Sequence, residues 1–217
     1  MNNGAKRRVG ILISGRGSNM LSLIEAAKAP DFPAQIVAVG SNKPEAKGLE
    51  TASKEGFATF AVDHKLYGKD REAFERDLDA KLRENNVELL VLAGFLRLLT
   101  PWFVHQWQGR MINIHPALLP SFTGLHTHER ALTEGVRIHG ATVHFVTAEM
   151  DVGPIIAQGA VPVLDGDTPD ALAARVLEVE HRIYPIALEA VASGKVHISG
   201  LRVKIDNSEH EGDSLIA

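Results

Sequence analysis

The 217-residue chain contains no cysteine. That absence removes disulfides, cysteine-bearing zinc or iron–sulfur sites and a thiol nucleophile, and it suits a reducing compartment. Long apolar runs are missing too, since nothing approaches the roughly 18 residues of a membrane span. Segment 9–13 (VGILI) resembles the start of a signal peptide. Ser14-Gly15-Arg16-Gly17 ends it short of an h-region of about 7–15 residues. A basic surplus is also lacking: 23 Lys and Arg face 27 Asp and Glu, for a net charge of −4. Asp206, Glu209, Glu211 and Asp213 account for that whole charge, so the rest of the chain is neutral, unlike a nucleic-acid binder. The expectation is a soluble cytoplasmic protein with no nucleic-acid and no membrane partner. Residues 205–217 read as an acidic, disordered tail.

What is present is alternation. Segments 8–13, 35–39, 59–62 and 87–93 read as short strands, 8–13 as a buried one and 87–93 (VELLVLA) as one covered on both faces. Between them, 18–28, 45–56 and 70–85 carry helical stripes; in the last, Phe74, Leu78 and Leu82 fall at i, i+4 and i+8. Strand–helix alternation of this kind implies an α/β fold with an open, mostly parallel, Rossmann-like sheet and helices on both faces. After residue 100 the pattern changes. A strand at 111–114 runs into Asn113-Ile114-His115-Pro116, a glycine- and proline-punctuated loop follows, and a short helix is expected near 128–133. Segments 141–146 and 155–163 alternate with period two, as in an antiparallel extension. Thr168-Pro169 opens a last helix, which Pro185 is expected to kink or split and Gly194 to end. One domain over 1–204 is expected, with a phosphate-binding half at 1–100 and a catalytic half at 101–204.

Two places carry chemistry. Gly15-Arg16-Gly17-Ser18-Asn19 lies between a strand and a helix, where backbone N–H groups converge. It lacks the third glycine of a dinucleotide fingerprint, and no acid ends the second strand. The loop suits either a terminal monophosphate or a turn that needs glycine for geometry alone. The second place is histidine-rich: five of ten histidines (115, 126, 128, 139 and 144) fall in one 30-residue window. Asn113 and His115, two apart at the carboxyl end of a strand, face the same side. Asp151, on the Gly/Pro loop 149–154, is the natural carboxylate to orient or charge the imidazole. Metal ligation is the other reading of the cluster, but no HExxH is present.

The segments ILISGRGSN, VLAGFLRLL, NIHPALLPSFTGLHTH, HGATVHFVTAEMDVGPIIAQ and EHRIYP resemble, in order and spacing, the folate-dependent phosphoribosylglycinamide formyltransferase family, over about residues 8–195. The resemblance implies transfer of a formyl group from 10-formyltetrahydrofolate to the amine of glycinamide ribonucleotide, without a metal. It implies Asn113, His115 and Asp151 as the catalytic set. Gly17, Ser18 and Asn19 would hold the ribonucleotide phosphate, and Glu180 the ribose hydroxyls. Arg71, Leu96, Arg97, Leu98 and Leu99, with Asn113 and the loop residues Thr147, Ala148, Glu149, Met150 and Asp151, would bind the folate. His126, His128 and His144 would line the site. Thr123 and Leu177 depart from residues common in relatives. The alternative on the same scaffold is a 10-formyltetrahydrofolate deformylase; a metal-dependent enzyme and a non-catalytic nucleotide-binding module are the rivals from other classes. A monomer and a homodimer are equally compatible with the sequence.

Overall fold

The computed structural model describes residues 5–206, and these divide into two compact units, up to Ile112 and from Asn113 onward. In the first, β1 (Arg7–Ile13) lies between β2 (Ala34–Ser41) and β4 (Leu89–Leu92), and β3 (Ala58–Ala61) pairs with β2. Every one of these pairings is parallel. Val9, Ile11, Leu12 and Ile13 are completely buried, as a parallel strand covered on both faces requires. The intervening helices are α1 (Ser18–Ala27), α2 (Lys47–Lys54) and α3 (Arg71–Glu84), with a 3₁₀ turn at His64–Tyr67. The expected alternation is therefore present, with strand and helix ends moved by a few residues.

The first compact unit runs to Ile112 and includes α4 (Pro101–Gln106), which is fastened to α3. Two acids on the buried side of α3 do this. Glu75 accepts from the Thr100 N–H at 2.8 Å and from the Thr100 hydroxyl. Asp79 accepts from the Trp107 indole at 3.0 Å. Burial pushes the Glu75 carboxyl above its usual range, and the Thr100 donors oppose the shift. The sequence reading missed α4: it is one and a half turns long, too short to show a period, although Thr100-Pro101 is a good helix start.

In the second unit, which β5 (Met111–His115) enters at Asn113, α5 (Thr127–Thr133) is followed by β6 (Ile138–Phe145) and β7 (Ile155–Pro162). The last two pair antiparallel, from Ile138 opposite Pro162 to His144 opposite Ile155, with a register slip between Val143 and His144. Helix α6 (Pro169–Ala192) packs on both strands. Gly159 makes room for it, since a Cβ there would lie 2.1 Å from a Val179 methyl. The expected split at Pro185 does not occur; α6 continues through it for 24 residues. Ile183, Tyr184, Ala187 and Leu188 are buried on either side of the proline. Apolar burial of about 1.5–3 kcal/mol per large side chain outweighs the roughly 3 kcal/mol that an interior proline costs. Beyond it, β8 (Val196–Ser199) and β9 (Arg202–Ile205) form a hairpin that the sequence reading lacked, closed by a 2.8 Å pair between His197 and Asp206. Regular structure thus runs past the expected boundary at 204, and the rest of the acidic tail, 207–217, lies outside the described residues.

The start of α6 is tied to the end of β7 by a fork. Arg175 donates to both Asp167 oxygens at 2.8 and 2.9 Å and to the Pro162 carbonyl at 2.8 Å, while Asp167 also accepts from the Leu164 N–H. Arg175 first, then Leu164, holds the Asp167 carboxyl down at about 2, below its ordinary 3.8. The folded pKa is the lower one, so this stabilisation is complete above pH 3.8 and is lost as pH falls through about 2. Asp167→Asn is expected to lower the denaturation midpoint at pH 7 and to flatten the acid limb of stability between pH 4 and 2. An unchanged acid limb would show that the fork does not hold α6.

Candidate active site

Asn113 and His115 end β5, two residues apart on one side of the strand. His115 is 5% exposed, and its two ring nitrogens meet different oxygens. Nε2 is 2.9 Å from the Phe122 carbonyl. Nδ1 is 3.6 Å from Asp151 Oδ2, an ion-pair separation rather than a hydrogen bond. Each nitrogen therefore has an oxygen facing it. Asp151 Oδ2 also accepts from the Gly124 N–H at 2.8 Å, which ties the loop after β5 to the loop after β6.

These loops bend sharply. Phe122, His126 and Asp151 have φ of 55°, 57° and 58°, so three of the four described non-glycine residues with left-handed backbone belong to this region. Such residues cost about 1 kcal/mol or more each and persist where the surroundings over-determine them. Here the surroundings are explicit. The buried Thr142 hydroxyl donates to the Ala117 carbonyl at 2.7 Å and accepts from the Leu119 N–H and from Gln158, each at 3.0 Å. Gln158 also donates to the Leu119 carbonyl, and Thr127 donates to that of Pro116 at 2.7 Å. The backbone from 116 to 119, which leads to the Phe122 carbonyl that meets His115, is thereby pinned. On the other side, a Cβ on Gly153 would lie 1.7 Å from the Phe145 carbonyl oxygen, so only glycine lets the chain leave the Asp151 loop there.

The remaining histidines separate. His144 is 2% exposed, with Nε2 3.2 Å from Asn113 Nδ2 and Nδ1 3.0 Å from the Phe145 carbonyl. Burial lowers its pKa. His128 and the buried His139 meet edge to face at 5.3 Å, with Phe122 on the other side of His139 at 5.6 Å. His126 is not gathered in; it is exposed and turned towards Glu129 at 3.6 Å. Among the described residues no three His, Cys, Asp or Glu side chains converge as metal ligands.

The first unit carries the other expected residues. Gly17, with φ 76°, precedes α1 without any side-chain cap, so the first N–H groups of that helix are not claimed by a capping side chain. Ser18 and Asn19 are its first two residues, and Asn19 is buried. The N-terminal turn of α2 closes on this loop through a 3.0 Å bond from Gly48 to the Gly15 carbonyl. Arg71 opens α3 on the exposed side. After β4, Leu96 and Leu98 are 71% and 58% exposed, Arg97 lies 5.9 Å over the Phe74 ring, and Leu99 is half-buried. The Leu96 N–H donates to Ser14 at 2.8 Å. In the second unit, Thr147 bonds the Glu149 carbonyl across Ala148, Met150 is exposed, and Glu180 sits on the buried face of α6. Thr123 offers its carbonyl to Arg130, and Leu177 is half-buried on α6.

Sequence reasoning missed Phe122, Gly124, Thr142 and Gln158. The first two act through backbone atoms, which no side chain advertises. Thr142 could have been found, as the lone hydroxyl within the apolar strand ATVHFV.

The family model described as formyl transferase matches residues 7–188. The chain is 45% identical to the Escherichia coli phosphoribosylglycinamide formyltransferase, over 86% of this chain and 87% of that protein. It is 49% identical to the bovine trifunctional purine biosynthetic protein adenosine-3 over 89% of this chain, and it spans only about a fifth (19%) of that protein's length. Among solved structures, glycinamide ribonucleotide transformylase 1 from Symbiobacterium toebii superposes with a TM-score of 0.90 at 42% identity, covering 94% of this chain and 95% of that one.

His139 yields a test of the site's interior. Burial first, and then the neighbouring His128, push its pKa down from 6.5 to about 4. The unfolded chain therefore takes up a proton there before the folded one does, and stability declines as pH falls from 6.5 towards 4. In an NMR titration the His139 ring should stay uncharged at pH 5. Titration near 6.5 would mean that water reaches the pocket.

Proposed function

Because the chain belongs to the formyl transferase family, we propose that it transfers the formyl group of 10-formyltetrahydrofolate to the amine of 5'-phosphoribosylglycinamide. The products are formylglycinamide ribonucleotide and tetrahydrofolate, a step of purine synthesis. Its relatives of matching length carry the corresponding names. The observation that carries the reading is His115 held between the Phe122 carbonyl and Asp151, with Asn113 beside it on the strand.

In this reaction the amine nitrogen attacks the formyl carbon, the bond from that carbon to the folate nitrogen breaks, and the amine's proton ends on that nitrogen. The difficulty is charge on the formyl oxygen. Phe122 occupies Nε2 of His115, so the ring's free donor is Nδ1–H, which the 3.6 Å gap to Asp151 leaves unspent. Asp151 faces that nitrogen as a carboxylate 3.6 Å away and orients the ring without consuming its proton. Asn113 supplies a second donor from its carboxamide. One such donor is worth about 2.7–4 kcal/mol in other acyl-transfer sites. Asp151 also accepts the amine's proton, through water, for delivery to the departing nitrogen. No covalent enzyme intermediate and no metal enters this scheme.

The first N–H groups of α1, with Ser18 and Asn19, suit the ribonucleotide phosphate, because a helix start without a capping side chain is an anion site. Glu180 is assigned to the ribose hydroxyls. The exposed Leu96 and Leu98 suit a flat pterin, with Arg97 and Leu99 beside them. Thr147, Ala148, Glu149 and Met150 complete the folate side as the Asp151 loop, and Arg71 is a cation for the folate's carboxylate tail. No helix among the described residues is long and apolar enough to cross a membrane. The reading places the protein in the cytoplasm with small-molecule partners, alone or as a homodimer.

A spectroscopic formyl-transfer assay with and without the ribonucleotide decides the substrate. Turnover requiring the ribonucleotide is expected; turnover indifferent to it would make the protein a deformylase. Asn113→Ala, His115→Ala and Asp151→Ala should each lower kcat by about 10²–10³-fold while ribonucleotide binding survives. Full turnover in His115→Ala would remove it from the catalytic set. Arg71→Ala should raise KM for the folate several-fold and leave ribonucleotide affinity unchanged; equal loss of both would overturn its assignment.

A further inference from the structure

We infer that His144 is a positioning residue that fixes which way the Asn113 carboxamide points, and so makes its nitrogen available to the substrate. The inference rests on the formyl-transfer reading for its consequence, but not for its geometry. The Phe145 carbonyl, 3.0 Å from Nδ1, can only accept, so Nδ1 must carry the hydrogen. A neutral ring then has a lone pair at Nε2. Asn113 Nδ2 stands 3.2 Å from it, and an N–H fits there whereas the amide oxygen would set lone pair against lone pair. One N–H of the carboxamide is spent on His144, and its partner on the same nitrogen remains for the formyl oxygen.

The arrangement depends on His144 staying neutral. A charged ring would carry hydrogen at Nε2, demand the amide oxygen, and turn the Asn113 donor away. Four influences act on the ring. Burial opposes the charge most strongly, the Phe145 carbonyl and then Asp151 favour it, and His115 opposes it; the net effect is a lowered pKa. The backbone supplies the aim. The β6–β7 register slips between Val143 and His144, and such an irregularity redirects the side chain that follows it.

The test begins with the intact protein labelled with ¹⁵N-histidine. Long-range ¹H–¹⁵N spectra from pH 6 to 8 are expected to show His144 with a protonated Nδ1 and a bare Nε2. The opposite tautomer, or a charged ring, would overturn the inference whatever the activity. Kinetics then separate this inference from the one beneath it. His144→Leu removes the acceptor and should lower kcat about 10²-fold with little change in either KM, whereas His144→Gln, which can present an amide oxygen near the Nε2 position, should recover most of it. If His144→Leu keeps full turnover while Asn113→Ala loses it, the positioning role falls and the catalytic assignment stands. If Asn113→Ala keeps full turnover as well, the assignment itself falls. Should the leucine variant not fold, the glutamine variant and the tautomer spectrum still decide.

Discussion

His115 is held by oxygens on both sides, and much of the second unit can be understood as the means of keeping those two oxygens in place. The Phe122 carbonyl is where it is because Thr142, Gln158 and Thr127 fasten the backbone from 116 to 119. The Asp151 carboxylate is where it is because Gly124 donates to it and Gly153 lets the chain turn beneath Phe145. A polar ring at 5% exposure is costly to bury unless its nitrogens have partners, and here each has an oxygen facing it. The loops thus serve electrostatics as much as shape. Burial also marks the ring's neighbours, lowering the pKa of His139 and of His144.

The first unit solves a simpler problem. Its strands are parallel, β1 and β4 are buried, and the loops at their carboxyl ends carry Ser14, Gly17 and the exposed Leu96. Ser14 joins two of those ends, bonding Asn42 after β2 and accepting from Leu96 after β4. Glu75 and Asp79 fasten the segment that follows. Buried carboxylates are retained there because each has a good donor, and the burial cost shows in the raised Glu75 pKa.

Much of this was legible in the residues. The parallel strands showed as apolar runs, and the i, i+4, i+8 stripe of Phe74, Leu78 and Leu82 gave α3. Asn113, His115 and Asp151 were legible because a strand's period puts the first two on one side and a glycine–proline loop suits the third. Two kinds of feature were hidden. Short elements such as α4 and the β8–β9 hairpin carry too few residues to show a period. Groups that act through the backbone, the Phe122 carbonyl and the Gly124 N–H, leave no trace in side-chain identity. Pro185 misled for a different reason: local propensity argued for a break, and the packing of α6 against β6 and β7 decided against it.

The left-handed backbone at Phe122, His126 and Asp151 sets local stability against the side chains that these positions carry. Glycine would relieve about 1 kcal/mol of local strain at any of the three. At 126 the exchange gives up only an exposed side chain paired with Glu129. At 151 it would erase the carboxylate that faces His115. A lineage or a laboratory selecting this chain for heat resistance alone would therefore be drawn towards changes that strip the carboxylate from beside His115 at one position and cost almost nothing at the other.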